Sequence, residues 1–193
     1  MGKFVVRTGR GLAVLLLCAG PLGACVTKIA PTVTTNPPPT EALRQFAHFE
    51  LLPLQAAPDA QAEKAALAKI DTNLHDKIMA VTKPWERTDA NGRTLKIQPY
   101  VTQLKFVNGA TRFFAGAFAG SSAVVMQLKI TDAASNEVVA QPEFFQRAAA
   151  MGGAWSIGGT DNGMLERIAG VASDYLQRNY DTAVGGPTGA TAE

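Results

Sequence analysis

One stretch of alternating side chains constrains the fold of this chain more than any other feature. Four apolar residues alternate with residues that are mostly polar, the period of a β-strand that buries one face and exposes the other. The first set is Val124, Met126, Leu128 and Ile130, and the second is Val125, Gln127, Lys129 and Thr131. A turn-like segment, residues 132–137, and a further apolar segment, residues 138–148, follow directly. The two apolar segments are therefore predicted to form an antiparallel hairpin, whose apolar face other elements must cover.

Two elements are predicted before this hairpin. Residues 46–54 read as a strand, with Pro53 at its end or at a sheet edge. A helix is expected from an N-cap at Asp59 to about Val81, and Pro84 prevents it from continuing. Its apolar stripe, at offsets of three and four residues, consists of Leu67, Ile70, Leu74, Ile78 and Val81.

The remaining elements complete the predicted fold. Residues 95–107 form a strand whose apolar side chains change parity, which a β-bulge near Thr102 would reconcile. A glycine-rich loop, residues 151–163, leads into a last helix over residues 161–180. The predicted order is β-α-β-β-β-α. We expect a single α+β domain with a mixed four-stranded sheet and two helices on one face.

Composition excludes several classes of protein. The chain has 193 residues, of which 47% are hydrophobic and 18% charged, which suits one modest globular domain and excludes a fully disordered chain. A polytopic membrane protein is excluded because only one long apolar run is present. The formal net charge is +2, yet Lys3, Arg7 and Arg10 lie in the first 24 residues, and without them 15 basic side chains face 16 acidic ones. No nucleic-acid partner is expected.

The first 24 residues read as an export signal, with a basic start followed by an apolar run too short to span a bilayer. The segment Leu22-Gly23-Ala24-Cys25 resembles the bacterial lipobox. That resemblance implies cleavage before Cys25, a diacylglyceryl thioether on its sulfur, and acylation of the new amino terminus by a chain such as palmitate. Two or more acyl chains anchor a protein stably to a membrane. The alternative is an ordinary signal peptide in which Cys25 is incidental.

The other cysteine, Cys18, lies inside the apolar run and would be removed with the signal. The mature domain would then contain no cysteine for a disulfide, a redox pair or a nucleophile, and its core must rely on packing. Position 26 is Val rather than Asp. By resemblance to the sorting pattern of enterobacterial lipoproteins, this favours the outer membrane with the domain facing the periplasm, the inner membrane and the cell surface being alternatives.

Four regions are predicted along the chain. Residues 1–24 form the lipoprotein signal peptide, and residues 25–40 carry the lipidated cysteine and a Pro/Thr-rich tether. An extended tether of this length could hold the domain up to about 45 Å from the lipid. Residues 41–180 form the globular domain, and residues 181–193 are expected to be a flexible tail.

Each catalytic or metal-binding template fails on a specific residue. Ser156 lies in a sequence close to the Gly-x-Ser-x-Gly nucleophile elbow, but no histidine follows it as that arrangement requires. His48 and His75 lie on different predicted elements, with no cysteine donor and no tight carboxylate cluster. The glycines at Gly116 and Gly120 lack the spacing and the lysine of a phosphate-binding loop. We expect no catalytic residue, no cofactor and no metal.

Residues 113–128 contain no charged side chain. One interpretation is that Gly116 and Gly120 permit a bend or a close backbone approach, with the phenylalanines of this run packed in the core. The other is that Phe114 and Phe118 line an exposed patch that binds a partner or a neighbouring subunit.

Two further residues are candidates for interaction. Arg112 opens the uncharged run and is either a solvated charge or a half-buried anchor paired with a carboxylate such as Asp132 or Glu143. Trp155 lies in the glycine-rich loop and is expected to fold back over the sheet edge.

Residues 112–132, followed by residues 137–140 and a terminal amphipathic helix, resemble a family of uncharacterised Gram-negative lipoproteins, domain of unknown function forty-four-ten. The resemblance covers roughly residues 44–180. Ser135 and Asn136 stand where relatives often have Thr-Gly. The family implies no catalytic activity. In element order alone, the chain is also similar to periplasmic domains of oligomeric outer-membrane secretion lipoproteins.

The leading hypothesis is a non-enzymatic, membrane-anchored lipoprotein of the cell envelope that serves as a structural, assembly or interaction module. Its expected partners are the membrane, through the acyl chains on Cys25, and envelope proteins or further copies of itself. One rival is a binding module for a small apolar ligand or peptide. The other is a hydrolase that uses Ser156.

Overall fold

The computed structural model describes residues 29–89, 92–106, 121–148 and 159–190, and the side chains among these except those of residues 159–161. The strands are β1 (Thr35–Asn36), β2 (His48–Leu51), β3 (Gln55–Ala56), β4 (Thr94–Lys105), β5 (Ala123–Asp132), β6 (Val138–Ala140), β7 (Glu143–Arg147) and β8 (Gly186–Pro187). The helices are α1 (Lys64–Thr82) and α2 (Gly159–Arg178), and short 3₁₀ helices occupy Leu43–Gln45 and Lys83–Trp85.

The main sheet has four strand positions, as predicted, although both edge positions are divided. Strands β2 and β3 each pair in parallel with β4, β4 pairs antiparallel with β5, and β6 and β7 each pair antiparallel with β5. Pro53 lies between β2 and β3, and Pro142 lies between β6 and β7. Since proline has no N–H to donate to a ladder, it interrupts an edge strand without unpairing the centre. The α+β class with a mixed sheet is confirmed.

The predicted bulge near Thr102 is also confirmed. The register between β4 and β5 shifts between Val101 and Gln103. Because one extra residue is accommodated there, side chains on either side of the bulge that differ in parity point to the same face. Val101 before it and Leu104 after it both pack in the same core.

The expected N-cap at Asp59 is wrong, because α1 begins at Lys64 after Glu63. The backbone N–H of Ala57 still donates to Val101 of β4 at 2.9 Å, which holds the chain extended as far as this residue. A turn then places Ala60 in the core, where it is almost fully buried. Residues 57–63 are taken up by this pairing and this turn, so the helix begins several residues later than the capping preference of Asp59 predicts.

Both helices pack on the same face of the sheet, as predicted. The central part of the core consists of Ile70, Leu74 and Ile78 from α1, Ile168, Ala172 and Leu176 from α2, and Ile97, Met126, Leu128 and Ile130 from the sheet. Neither helix in the described part of the chain is long and apolar enough to cross a membrane.

The opposite face of the sheet, called the outer face below, has a much smaller apolar cluster. Ala123, Val125 and Phe145 are buried there beneath Ile29 and Ala190, which come from the two ends of the described chain. The end segments also pair with each other, since β1 and β8 form a two-stranded antiparallel sheet. This differs from the expected free tether and flexible tail, because residues 29–40 and 181–190 both contribute to the packed structure.

Candidate functional site

Most of the predicted site residues lie outside the part of the chain that the structure describes. These residues are Cys25, Arg112, Phe114, Phe118, Trp155 and Ser156. Their predicted roles stay predictions. Asp132 and Glu143, the predicted carboxylate partners of Arg112, lie in the described part of the chain, where Asp132 bonds to Arg93 and Glu143 bonds to Thr32.

The amino-terminal arm, residues 29–41, docks on the domain through one asparagine. The Asn36 side-chain amide donates to the carbonyl of Glu143 at 2.8 Å, and its oxygen accepts from the Glu143 N–H, also at 2.8 Å. Asn36 is only 2% exposed. Because the two bonds satisfy both backbone groups of an edge-strand residue, the side chain acts as one further residue of the ladder. The arm is thereby held in a defined register on β7.

The side chain of Glu143 reinforces this docking. Its carboxylate accepts hydrogen bonds from the backbone N–H and the hydroxyl of Thr32, the latter at 3.0 Å. Gln127 of β5 also approaches this carboxylate, at 3.4 Å. Glu143 is buried, and a buried carboxylate is costly unless donors surround it. The arm supplies those donors, so that burying Glu143 depends on the arm being in place.

Tyr175 fastens the arm from the helical layer. Its hydroxyl donates to the carbonyl of Pro37 at 3.0 Å, and its ring packs edge-on against Phe144. Burial raises the pKa of Tyr175 to about 12. A little further along, the N–H of Thr40 donates to Val139 of β6 at 2.9 Å. The arm thus contacts both a helix and the sheet edge.

The carboxyl-terminal segment is folded around Asn179. The Asn179 side-chain amide donates to the carbonyls of Tyr175 and Gly185, at 2.7 and 3.1 Å, and its oxygen accepts from the N–H groups of Val184 and Gly185, both at 2.8 Å. Gly185 has φ +74°, and a Cβ there would collide with the Asn36 carbonyl. The close approach of the two terminal segments therefore requires glycine at this position.

Arg93 joins the end of the arm to the hairpin turn. Its guanidinium forms a bidentate pair with Glu41, at 2.7 and 2.8 Å, and donates from Nε to Asp132 at 2.8 Å. It also lies 4.2 Å from the centre of the Phe46 ring. Glu41 and then Asp132 raise the pKa of Arg93. The N–H of Ala134 and then Arg93 lower the pKa of Asp132.

A cleft of about 390 Å³ opens beside Arg93. Its lining consists of Thr40, Glu41, Arg93, Asp132, Glu137, Val138 and Val139. The Arg93 guanidinium already bonds to two carboxylates that line the cleft, so the cleft offers no unpaired cation to an anionic ligand. The arrangement is that of a structural ion-pair network.

The histidines do not converge. His48 Nδ1 lies 3.1 Å from a Glu86 oxygen, and Nε2 lies 3.0 Å from the Asp89 carbonyl. The carbonyl, and then Glu86, raise the pKa of His48. His75 lies beside Asp76 on α1, at 3.8 Å. Among the residues that the structure describes, no group of three or more His, Cys, Asp or Glu side chains could hold a metal ion.

Sequence reasoning missed Arg93 and Asn36, the residues that organise the arm. Both lie in segments without apolar periodicity, and Asn36 is surrounded by Pro and Thr that indicate a free tether. Their partners lie far away in sequence, 39 residues for Arg93 with Asp132 and 107 for Asn36 with Glu143. No local signal could have identified either residue.

The chain matches no family model and no curated protein. It is similar to several solved structures. A PelC dodecamer from Paraburkholderia phytofirmans is 13% identical, with a TM-score of 0.39 and coverage of 70% of this chain and 93% of that one. A candidate lipoprotein from Caulobacter crescentus CB15 is 14% identical, with a TM-score of 0.35 and coverage of 72% and 89%.

A third structure, protein XCC0632 from Xanthomonas campestris, of domain-of-unknown-function family 330, is 12% identical. Its TM-score is 0.39, and the match covers 78% of this chain and 89% of that one. Likenesses this distant do not identify a family. The resemblance to the forty-four-ten family therefore stays a prediction.

Proposed function

We propose that this chain is a non-enzymatic lipoprotein of the bacterial envelope, anchored through Cys25 and acting as a structural or interaction module at the outer membrane. One observation carries the proposal: the arm that follows the lipobox cysteine is built into the fold. A free tether needs no buried contacts, whereas this arm has a buried asparagine, donates two hydrogen bonds from Thr32 to the buried Glu143, and accepts one from Tyr175.

Such docking suits a protein whose domain must keep a fixed position and orientation relative to its lipid anchor. A flexible linker lets a domain sample many positions and orientations above a membrane. An arm held by several hydrogen bonds restricts both, because detaching it would break all of these bonds together and expose the apolar cluster beneath Ile29. A module that presents one surface to envelope partners or to further copies of itself benefits from that restriction.

Lipidation is tested by labelling cells with a palmitate analogue. Wild-type protein should be labelled, and Cys25→Ala should not. Cys18→Ala is the matched control, because that residue lies in the leader and its loss should leave labelling intact. Equal labelling of wild type and Cys25→Ala would refute the anchor, and with it the proposed function.

Placement at the outer membrane is tested by density fractionation of envelopes. The wild-type protein should band with the outer membrane. Val26→Asp should move it toward the inner membrane if the enterobacterial sorting pattern applies. A wild-type protein that bands with the inner membrane would contradict the proposed location while leaving the anchor in place.

The interaction role is tested by cross-linking intact cells and identifying the products by mass spectrometry. Defined adducts with envelope proteins, or a ladder of self-adducts, are expected. A protein that remains a monomer without adducts would contradict this role. The cleft beside Arg93 gives no support to a site for apolar ligands, because charged side chains form much of its lining.

A further inference from the structure

We infer that the outer face of the main sheet rests on the headgroups of an anionic phospholipid bilayer. The inference rests on the proposed function, since it requires an acylated Cys25. It goes further by assigning one surface of the domain to the membrane and, by exclusion, the helical layer to the periplasm.

The chain between Cys25 and the fold is short. Four residue steps separate Cys25 from Ile29, and a fully extended chain spans at most about 3.3–3.6 Å per residue. Ile29 therefore lies no more than about 14 Å from the Cα of the acylated residue. This distance is about a third of the reach of roughly 45 Å expected for a free tether of residues 26–40.

The short linker attaches on the outer face. Ile29 packs against the cluster of Ala123, Val125 and Phe145 there, rather than on the helical layer. The linker therefore brings this part of the sheet close to the headgroups. The helices lie on the other side of the sheet, farther from the point of attachment.

The outer face also carries more basic than acidic side chains on its strands. Strand parity and register place four basic side chains on the outer face, namely Lys96, Lys105, Lys129 and Arg147. The same parity places two acidic ones there, Glu50 and Glu143. Glu143 is buried under the arm, so its charge is shielded from a surface outside the domain.

The lysines of this face differ in their access to a membrane. Among the described residues none of Lys96, Lys105 and Lys129 forms an ion pair, but only Lys129 is exposed, and the half-buried Lys96 lies opposite Glu50 in the sheet register. Anionic headgroups attract basic side chains over about one Debye length, roughly 8–10 Å at physiological salt. The short linker permits the outer face to approach the headgroups to within this range, at which these charges would favour that orientation.

The orientation is tested with the full-length processed lipoprotein in vesicles of phosphatidylethanolamine and phosphatidylglycerol. Gln103→Cys places a dye on the outer face, at an exposed position paired with Val125. Asp76→Cys places the same dye at an exposed position of α1. The acylated Cys25 sulfur is a thioether and does not react with a maleimide dye. Headgroup-labelled nitroxide lipid then quenches each dye according to its distance.

We expect quenching at position 103 to be several-fold stronger than at position 76. Lys129→Glu should weaken quenching at 103, whereas Lys69→Glu, a matched reversal on the exposed side of α1, should not. Equal quenching at the two positions, or stronger quenching at 76, would overturn the inference. A dye at 103 that is shielded from both aqueous iodide and the lipid quencher would show that a second protein copy covers this face, and would overturn it too.

Failure of the proposed function gives a different result from failure of the orientation. A protein without acyl chains would not remain with the vesicles, so neither dye would report quenching. A protein that remains with the vesicles and shows no preference between the two dyes is anchored but differently oriented.

Discussion

Phe144 and Phe145 are adjacent in sequence and identical in type, yet they belong to different structures. Phe144 points to the helical layer, is fully buried and packs edge-on against Tyr175. Phe145 points to the outer face, where its cover is Ile29, Ala190 and the guanidinium of Arg147, 5.5 Å from its ring centre. Two long helices cover one face of the sheet, and the two ends of the described chain cover part of the other.

The comparison shows that the two faces serve different purposes. The inner face carries most of the buried apolar area and hence most of the folding free energy. The outer cluster is too small to contribute comparably to the folding free energy. Its burial nevertheless requires the arm and the carboxyl-terminal segment to dock on the sheet. The inner face therefore holds the domain together, and the outer face holds the arm and the carboxyl-terminal segment in place.

Phe144→Ala tests the inner face and should have the largest effect. Removing a fully buried ring from a core held by two helices should cost about 3–5 kcal/mol of unfolding free energy, because the cavity cannot close. Urea unfolding of the detergent-purified protein, followed by circular dichroism, measures this loss. A cost below that of Phe145→Ala would contradict the assignment of the faces.

Phe145→Ala tests the outer face. We expect a loss of about 2 kcal/mol, the low end for truncating a buried side chain, because terminal segments can close over the gap more easily than helices can. The same urea titration measures it. In contrast to Phe144→Ala, hydrogen exchange should accelerate at the amides of Thr35, Asn36 and Gly186 even far below the unfolding transition.

Asn36→Ala tests the arm independently of apolar burial. It removes two hydrogen bonds to Glu143 and should cost about 1–2 kcal/mol, limited because a detached arm lets water reach the freed groups. Hydrogen exchange at the Glu143 amide should accelerate. Thr35→Ala, an exposed neighbour in the same strand, is the control, and an equal effect of the two substitutions would contradict the anchoring role of Asn36.

Tyr175 packs against Phe144 in the core and bonds to Pro37 of the arm, and it should make the stability of the protein depend on pH. Its pKa is raised to about 12, above the value of about 10 in an unfolded chain, because burial disfavours the phenolate. The unfolded state therefore loses this proton first, and the contribution of Tyr175 to stability, constant below about pH 10, should fall between about pH 10 and 12. Tyr175→Phe should flatten this part of the pH–stability curve relative to the wild type. If the wild type and Tyr175→Phe gave pH–stability curves of identical slope between about pH 10 and 12, Tyr175 would not be the residue responsible.

His48, a solvent-facing residue of outer-face parity, should show the smallest effect. Its pKa is raised by the Asp89 carbonyl and by Glu86, so its contribution to stability is present below about pH 6.5 and lost as the pH rises through the folded value. Glu86→Gln should lower this pKa, as measured by NMR titration of the His48 ring protons. An unchanged titration would show that Glu86 does not influence the ring.

Local chemistry was sufficient to predict much of the sheet and its hairpin. The alternation of Val124 through Thr131, the parity change near Thr102 and the turn after Asp132 are local patterns, and each reports directly on backbone geometry. The start of α1 could not be read in this way, because pairing of Gln55 and Ala56 with β4 delays it. Asp59 has the right chemistry for an N-cap but lies in the turn before the helix.

The sequence by itself determined the class of fold, the order of the main elements and the lipobox cysteine that predicts an anchor. Only the tertiary structure decided what happens to the two ends of the chain. A Pro- and Thr-rich sequence has the same composition in a free tether and in a docked arm. Whether it docks depends on the surface of the domain that it meets, here the edge strand β7. Asn36 meets its partner Glu143, 107 positions away in sequence, only after the sheet has formed, and a contact at that separation leaves no local pattern in the sequence.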